Sequence, residues 1–300
     1  MVYAVHFAVV LVACCLTAAA LGRARWTGRS PRVAIVCWQA VGLAFGLSAI
    51  GVPLAAGLDP YRQPTAAAVA RFATDAARGD LPAPARVAAV GIGLAIAAAL
   101  LITTAACLGS VTRLRRRHRR LLDLVGRADP SVPGALVLDH PVTAAYCLPG
   151  VRPRVVVSAG TLSLLDRAEL AAVLSHERAH AVERHDLVML PFAALCRALP
   201  RVRGFRDAHD HVALLIEMRA DDRARRRHTD ARLAAALRRF EAAAAVTPPG
   251  ALGASDGLRA RMERLGGNRR RPPMVRAGLT LALAATLVVV PVLLYLSRVA

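Results

Sequence analysis

Four stretches of this chain carry no charged residue and are each long enough to cross a bilayer: Val2–Leu21, Val33–Leu58, Val87–Thr112 and Ala277–Ser297. A helix rises 1.5 Å per residue, so about 20 apolar residues cover the hydrocarbon core. Core helices of soluble proteins rarely run so long without a charge, so the pattern predicts four transmembrane helices. The first is read as a retained helix and not a secretory signal, because nothing positive precedes it and its apolar run is too long.

The charge must then sit between these runs. The chain is 56% hydrophobic yet carries a net charge of +20, and all 40 of its basic residues are Arg. Arg23, Arg25, Arg29 and Arg32 separate the first two runs without an acid. Six Arg fall within Arg113–Arg120 after the third, and Arg269, Arg270, Arg271 and Arg276 precede the fourth. The loop between the second and third is nearly neutral, with Arg62, Arg71, Arg78 and Arg86 facing Asp59, Asp75 and Asp80. All three basic clusters fall on one side of a four-span chain, which places the N-terminus outside and residues 113–276 in the cytoplasm. Beside a span, Arg113–Arg120 meets anionic lipid. No aromatic or groove-reading motif accompanies it, so no direct nucleic-acid contact is expected. The six cysteines include no CxxC, four lie in apolar runs, and Cys14-Cys15 is a poor disulfide geometry, so all are expected reduced.

The one aqueous region, residues 121–272, predicts short strands at Ala135–Leu138 and Arg154–Ser158, with a turn at Pro149-Gly150. Asp166 followed by Glu169 forms a capping-box pattern. Leu170, Val173 and Leu174 then repeat at helical spacing, so His176-Glu177-Arg178-Ala179-His180 lies on a helix already under way. Positions i and i+4 stack on one helix face, so His176 and His180 can share a metal ion. Glu177 projects beside them as a general base. Chance predicts only roughly 0.005 such HExxH patterns here, so it is read as a site.

Zinc needs a third protein ligand. A helix over about Asp207–Arg227 offers Glu217 as that ligand, with His209 or His211 next in line. One turn beyond Glu217, Asp221 can fix a ligand histidine's tautomer. The bland alternative is a solvated acidic pair. His185 is read as off the ligand face, Asp186 as a surface acid or helix anchor, and Tyr146 as packing before a turn. The β-branched strand Val155, Val156, Val157 is read as an open edge on which substrate could pair. Gly42 and Gly46 form a GxxxG pattern that could support dimerisation. Val246–Gly257 reads as a surface loop.

HExxH followed by ExxxD resembles the gluzincin metallopeptidases, and most closely their membrane members, the BlaR/MecR-type sensor–antirepressor peptidases and HtpX-like peptidases. Ala144–Gly150, Val155–Ser158, the lead-in Glu169–His176, Arg184-His-Asp186 and Arg259–Leu265 carry the likeness, over about residues 135–267. The resemblance implies Zn2+ held by His176, His180 and Glu217, with Glu177 as base and Asp221 behind the ligands. Arg178 departs from the hydrophobic residue many relatives have. No extracellular penicillin-binding domain follows the last run, so β-lactam sensing is not expected.

The expected fold is a multi-pass α-helical membrane protein with an α+β zincin-like metallopeptidase domain. Residues 1–112 hold three transmembrane helices (about 2–21, 33–58 and 87–112), 113–274 the cytoplasmic domain and 275–300 the fourth helix. The expected function is that of a membrane zinc endopeptidase acting on a protein or peptide substrate, a transcriptional repressor among the possibilities. Housekeeping removal of membrane proteins, or a non-catalytic metal-stabilised scaffold, are the alternatives.

The orientation is testable. A reporter fused after Arg120 is expected to behave as cytoplasmic and one at Ala300 as external; the reverse pattern would overturn the topology.

Overall fold

The computed structural model describes residues 2–130, 132–150, 153–244, 254–267 and 274–297. Residues 246–253 of the loop expected from Val246 to Gly257 lie outside them, and Ala254 onward is helical. The chain falls into two compact units, one of residues 1–107, 191–211 and 272–300, the other of 108–190 and 212–271.

The first unit is helical. Its elements are α1 (Val2–Arg23), α2 (Pro31–Leu58), the amphipathic α3 (Thr65–Arg78) and the first part of α4 (Pro84–Val125). Among the described residues, four helices are long and apolar enough to cross a membrane: α1, Pro31–Tyr61, α4 and Gly278–Leu296. The α1–α2 contact is close. A Cβ on Gly51 would lie 2.5 Å from the Phe7 ring, and that ring meets Tyr295 at 5.0 Å. The Tyr295 hydroxyl donates to the Leu47 carbonyl at 2.8 Å, satisfying its polar end. Gly42 and Gly46 face Phe192 and Leu100 of the same chain. Residues 191–211 also pack here: Phe205 meets Phe45 edge-on at 5.4 Å, and His211 lies on Trp38 at 6.0 Å.

The second unit holds the sheet. Its strands are β1 (Gly126–Ala128), β2 (Ala135–Leu138), β3 (Ala145–Leu148) and β4 (Arg154–Ser158), in the order β1-β2-β4-β3. Only β2 and β4 run parallel; β1 and β3 are antiparallel to their neighbours. The helices that follow are α5 (Ala159–Leu164), α6 (Arg167–Val182), α7 (His185–Ala198), α8 (Arg203–Ala224), α9 (Asp230–Ala244) and α10 (Ala254–Gly266). The last helix, α11 (Met274–Leu296), returns to the first unit.

The continuous apolar run of β4 follows from its position. Side chains alternate across a strand, and here both faces are covered. Val155 and Val157 pack with Leu170, Val173 and Leu174 of α6. Val156 packs with Leu122 of α4 and with Leu148. A strand buried on both sides has no polar face to alternate. Val155, Val156 and Val157 are therefore central residues, and the open edge expected of them belongs to β3 instead.

The start of α6 is fixed as its sequence predicts. The Asp166 carboxylate accepts from the Ala168 and Glu169 amides at 2.8 Å, and Glu169 accepts from the Asp166 amide at 3.1 Å. The start of β3 is pinned by side chains. The Ala144 amide donates to Ser158 Oγ, and the Thr161 hydroxyl donates to the Ala144 carbonyl, each at 2.9 Å. Just before it, the chain passes over the N-terminus of α5 so closely that a Cβ on Gly160 would stand 2.0 Å from the Pro141 carbonyl oxygen.

That approach gives an expected outcome. Gly160→Ala must displace the 140–144 backbone and should cost about 1–3 kcal/mol, the range for overpacking. Gly91→Ala, inside α4 where a Cβ meets nothing within 4 Å, should leave the thermal midpoint no lower and raise it slightly by helix propensity.

Candidate metal and catalytic centre

Helix α6 brings His176, Glu177 and His180 to one cleft, and α8 brings Glu217 and Asp221. The helix over Asp207–Arg227 expected from sequence is this α8, begun four residues earlier. His176 Nε2 lies 3.1 Å from His180 Nε2 and 3.3 Å from Glu217 Oε2. His180 Nε2 lies 3.4 Å from Glu217 Oε1. Four donors at zinc–ligand distances of 2.0–2.1 Å in a tetrahedron stand about 3.3–3.4 Å apart. The three donors thus already mark one face of such a site. Among the described residues, this is the one group of three or more His, Cys, Asp or Glu side chains close enough to hold a metal ion. His209 and His211 are engaged elsewhere, His209 with Asp210 at 3.1 Å and His211 with the Gly22 carbonyl at 3.1 Å.

Behind the donors stands a carboxylate. Asp221 is 1% exposed, and its Oδ1 lies 3.0 Å from His176 Nδ1. Arg261 of α10 grips both Asp221 oxygens at 2.8 Å and reaches Glu217 Oε2 at 3.0 Å. Burial pushes the Asp221 carboxyl up, but Arg261 and His176 more than offset it and leave it at about 2. Glu217 is likewise raised by burial and then held down to about 2 by His176 and Arg261. Without metal, burial works against protonation of His176, yet Asp221 and Glu217 raise it to about 9. His180 is pulled down to about 4, chiefly by burial.

Glu177 differs from the other carboxylates. Burial raises it to about 7, against the charge of His176 and a hydrogen bond from the Cys147 amide. A base should be poised near the working pH. The Cys147 amide belongs to β3, the outer strand, which lines the cleft with Ala145, Tyr146 and Cys147. The cleft encloses about 340 Å³.

Several lining residues had a blander reading in the sequence. Tyr146 lines the cleft and bonds His118 Nε2 at 2.7 Å. Asp186 also lines it, half-buried and held by Arg115 at 2.7 Å. Arg119 donates to the Pro149 carbonyl at 3.0 Å. The Arg-rich end of α4 thus turns Arg115, His118 and Arg119 toward the cleft rim, at the i, i+3, i+4 spacing of one helix face. Arg178 donates to the Pro133 carbonyl at 3.1 Å. His185 sits at the back of His180. Arg261 carried no role in the sequence reading; its only signal there was membership of the Arg259–Leu265 run.

Residues 110–215 match the model of peptidase family M48. Over that stretch the chain is similar to M48 peptidase domains. M48 peptidases are metal-dependent, usually on zinc, and the His176–His180–Glu217 cluster is compatible with that. The match covers the HExxH helix and ends two residues before Glu217, so the third donor rests on geometry. No solved structure matches the chain.

The charge pattern sets the pH response of the metal-free protein. Asp221 and Glu217 titrate below their ordinary range, so their contribution to stability is present above about pH 4.5 and lost as pH falls toward 2. His176 is raised, so its contribution is present below pH 6.5 and lost as pH rises through about 9. Chelator-treated protein should therefore melt lower at both ends. Asp221→Asn should lower the midpoint at pH 5 and flatten both limbs, measured by thermal melts in detergent.

Proposed function

We propose that this protein is a membrane zinc endopeptidase whose catalytic unit faces the cytoplasm. The observation that carries the reading is the convergence of three donor side chains, with His176 and His180 Nε2 3.1 Å apart and each 3.3–3.4 Å from a Glu217 oxygen, beside a carboxylate, Glu177, that is not one of them. His176, His180 and Glu217 would hold the zinc, which when bound would supply polarisation of the scissile carbonyl and acidification of a water. Glu177 takes the proton of the attacking water and returns it to the leaving amine. Asp221 receives the Nδ1 proton of His176 and so keeps Nε2 turned to the donor cluster. A structural metal site needs no base, so the near-neutral Glu177 weighs against a non-catalytic scaffold.

The substrate enters as an extended strand on β3. Tyr146 pairs with Val156 of β4, and the Ala144 carbonyl accepts from Ser158 on the same side. Alternation along the strand turns the main-chain groups of Ala145 and Cys147 the other way, toward the cleft. That edge favours unfolded or extended segments over folded surfaces. The cytoplasmic orientation and the four-span count rest on the Arg distribution and on the four apolar helices. Cleavage of a cytoplasmic repressor rests on the resemblance to BlaR/MecR-type peptidases alone.

Chemistry and metal binding separate by mutation. His176→Ala, His180→Ala and Glu217→Ala should each lose stoichiometric zinc from purified protein. Glu177→Gln should keep zinc and fold yet lose about 10²–10⁴ in cleavage rate. Near-wild-type cleavage by Glu177→Gln, with zinc measured on the same preparation, would remove Glu177 from the chemistry.

A further inference from the structure

Metal-binding histidines need their second ring nitrogen held, because that contact fixes both the tautomer and the ring orientation. His176 has Asp221 for this purpose. Among the described residues, no carboxylate is bonded to the second ring nitrogen of His180. Its Nδ1 lies 3.0 Å from Nδ1 of His185. The two rings meet edge to face, with centroids 4.9 Å apart and planes at 85°. His185 is 5% exposed, too buried to be a surface residue.

A chain of contacts continues beyond it. His185 Nε2 lies 3.4 Å from Glu183 Oε2. The Glu183 carboxylate is held in turn by both Nε and Nη2 of Arg219, each at 2.8 Å, and by Arg223 at 3.2 Å. Arg219 stands two residues after Glu217 on α8. The series thus runs from one metal donor on α6 to the helix that carries another.

The backbone is bent to make this contact. Arg184, between α6 and α7, adopts a left-handed φ of 51° without being glycine. Such a conformation is strained for a residue with a Cβ and persists where the surroundings demand it. Here it ends α6 and turns the first residue of α7 back onto the last ligand of the HExxH segment.

We propose that His185 is the positioning residue for His180, accepting the Nδ1–H of that ligand on its own Nδ1. This rests on His180 binding metal through Nε2, as set out above. The proton assignments then agree at every step. His180 carries its proton on Nδ1 and gives it to His185 Nδ1. His185 carries its proton on Nε2 and gives it to Glu183. His185 is not a fourth ligand: it meets His180 on the nitrogen facing away from the donor cluster. The two ligand histidines are therefore held differently, one by an anion and one by a neutral ring. The neutral support adds no second negative charge behind the metal, which preserves its pull on a carbonyl.

The test uses full-length protein in detergent and measures zinc affinity by chelator competition, with the visible absorption of the cobalt(II) form as a second readout. His185→Leu fills the buried volume but offers no acceptor. His185→Asn places Oδ1 about where Nδ1 stood. The leucine variant should bind zinc about 10–100-fold more weakly, the usual loss when such a contact is removed, and show an altered cobalt spectrum. The asparagine variant should recover most of the affinity. Leucine binding as tightly as wild type, or asparagine binding as weakly as leucine with an unchanged melting curve, overturns the proposal. His180→Ala is the control. If it binds zinc like wild type, the metal site itself is misassigned. If it loses zinc while His185→Leu keeps it, only the positioning role fails.

Discussion

A buried carboxylate with no cation beside it would take up a proton rather than stay charged. Asp221 stays charged because Arg261 meets both of its oxygens, and the rest of the centre depends on that contact. The charge on Asp221 orients His176, and Arg261 also sets Glu217 beside the two histidines. One guanidinium thus ties α10 to α8, and through Asp221 to α6. Removing Arg261 would leave two acids facing each other around an open donor set. Arg is suited to this place because its planar fork matches a carboxylate and stays charged when buried.

The parts of this structure that are local in sequence were legible there. The apolar runs, the Asp166–Glu169 cap and the i, i+4 histidines each depend on residues within a few positions. Strands β2 and β4 were legible too, as short apolar runs, the second rich in β-branched residues. What escaped depends on partners far along the chain. Whether β4 is an edge or a centre is decided by β3 and β2 pairing on its two sides, and nothing inside Arg154–Ser158 encodes that. Strand β3 itself, Ala-Tyr-Cys-Leu, is too short and too mixed to announce itself. His185 was set aside by helical-wheel reasoning that assumed α6 continued. The left-handed Arg184 breaks the helix there, and no glycine marks the break. Arg261 lies 40 residues from Asp221, beyond any local pattern.

The Arg-rich end of α4 shows how one composition serves two purposes. Read as a string, Arg113–Arg120 is a block of charge suited to a lipid surface. Wound into a helix, it divides. Arg115, His118 and Arg119 bond the rim of the cleft, and Leu122 extends that face into the sheet's core. Arg116, Arg117 and Arg120 project from other sides of the helix. The positive-inside signal is strong because the segment carries both loads.

The Cys147 amide has one hydrogen to give. In the free protein it is turned toward Glu177 and lowers that carboxylate's proton affinity. A peptide laid along β3 would claim the same hydrogen, so arrival of a substrate and release of the base are a single exchange. A carboxylate that loses a donor holds a proton more tightly. In the proposed mechanism Glu177 is thus restrained while the groove is empty and gains proton affinity when a peptide strand pairs with β3, which links proton affinity to occupancy without any movement of the helices.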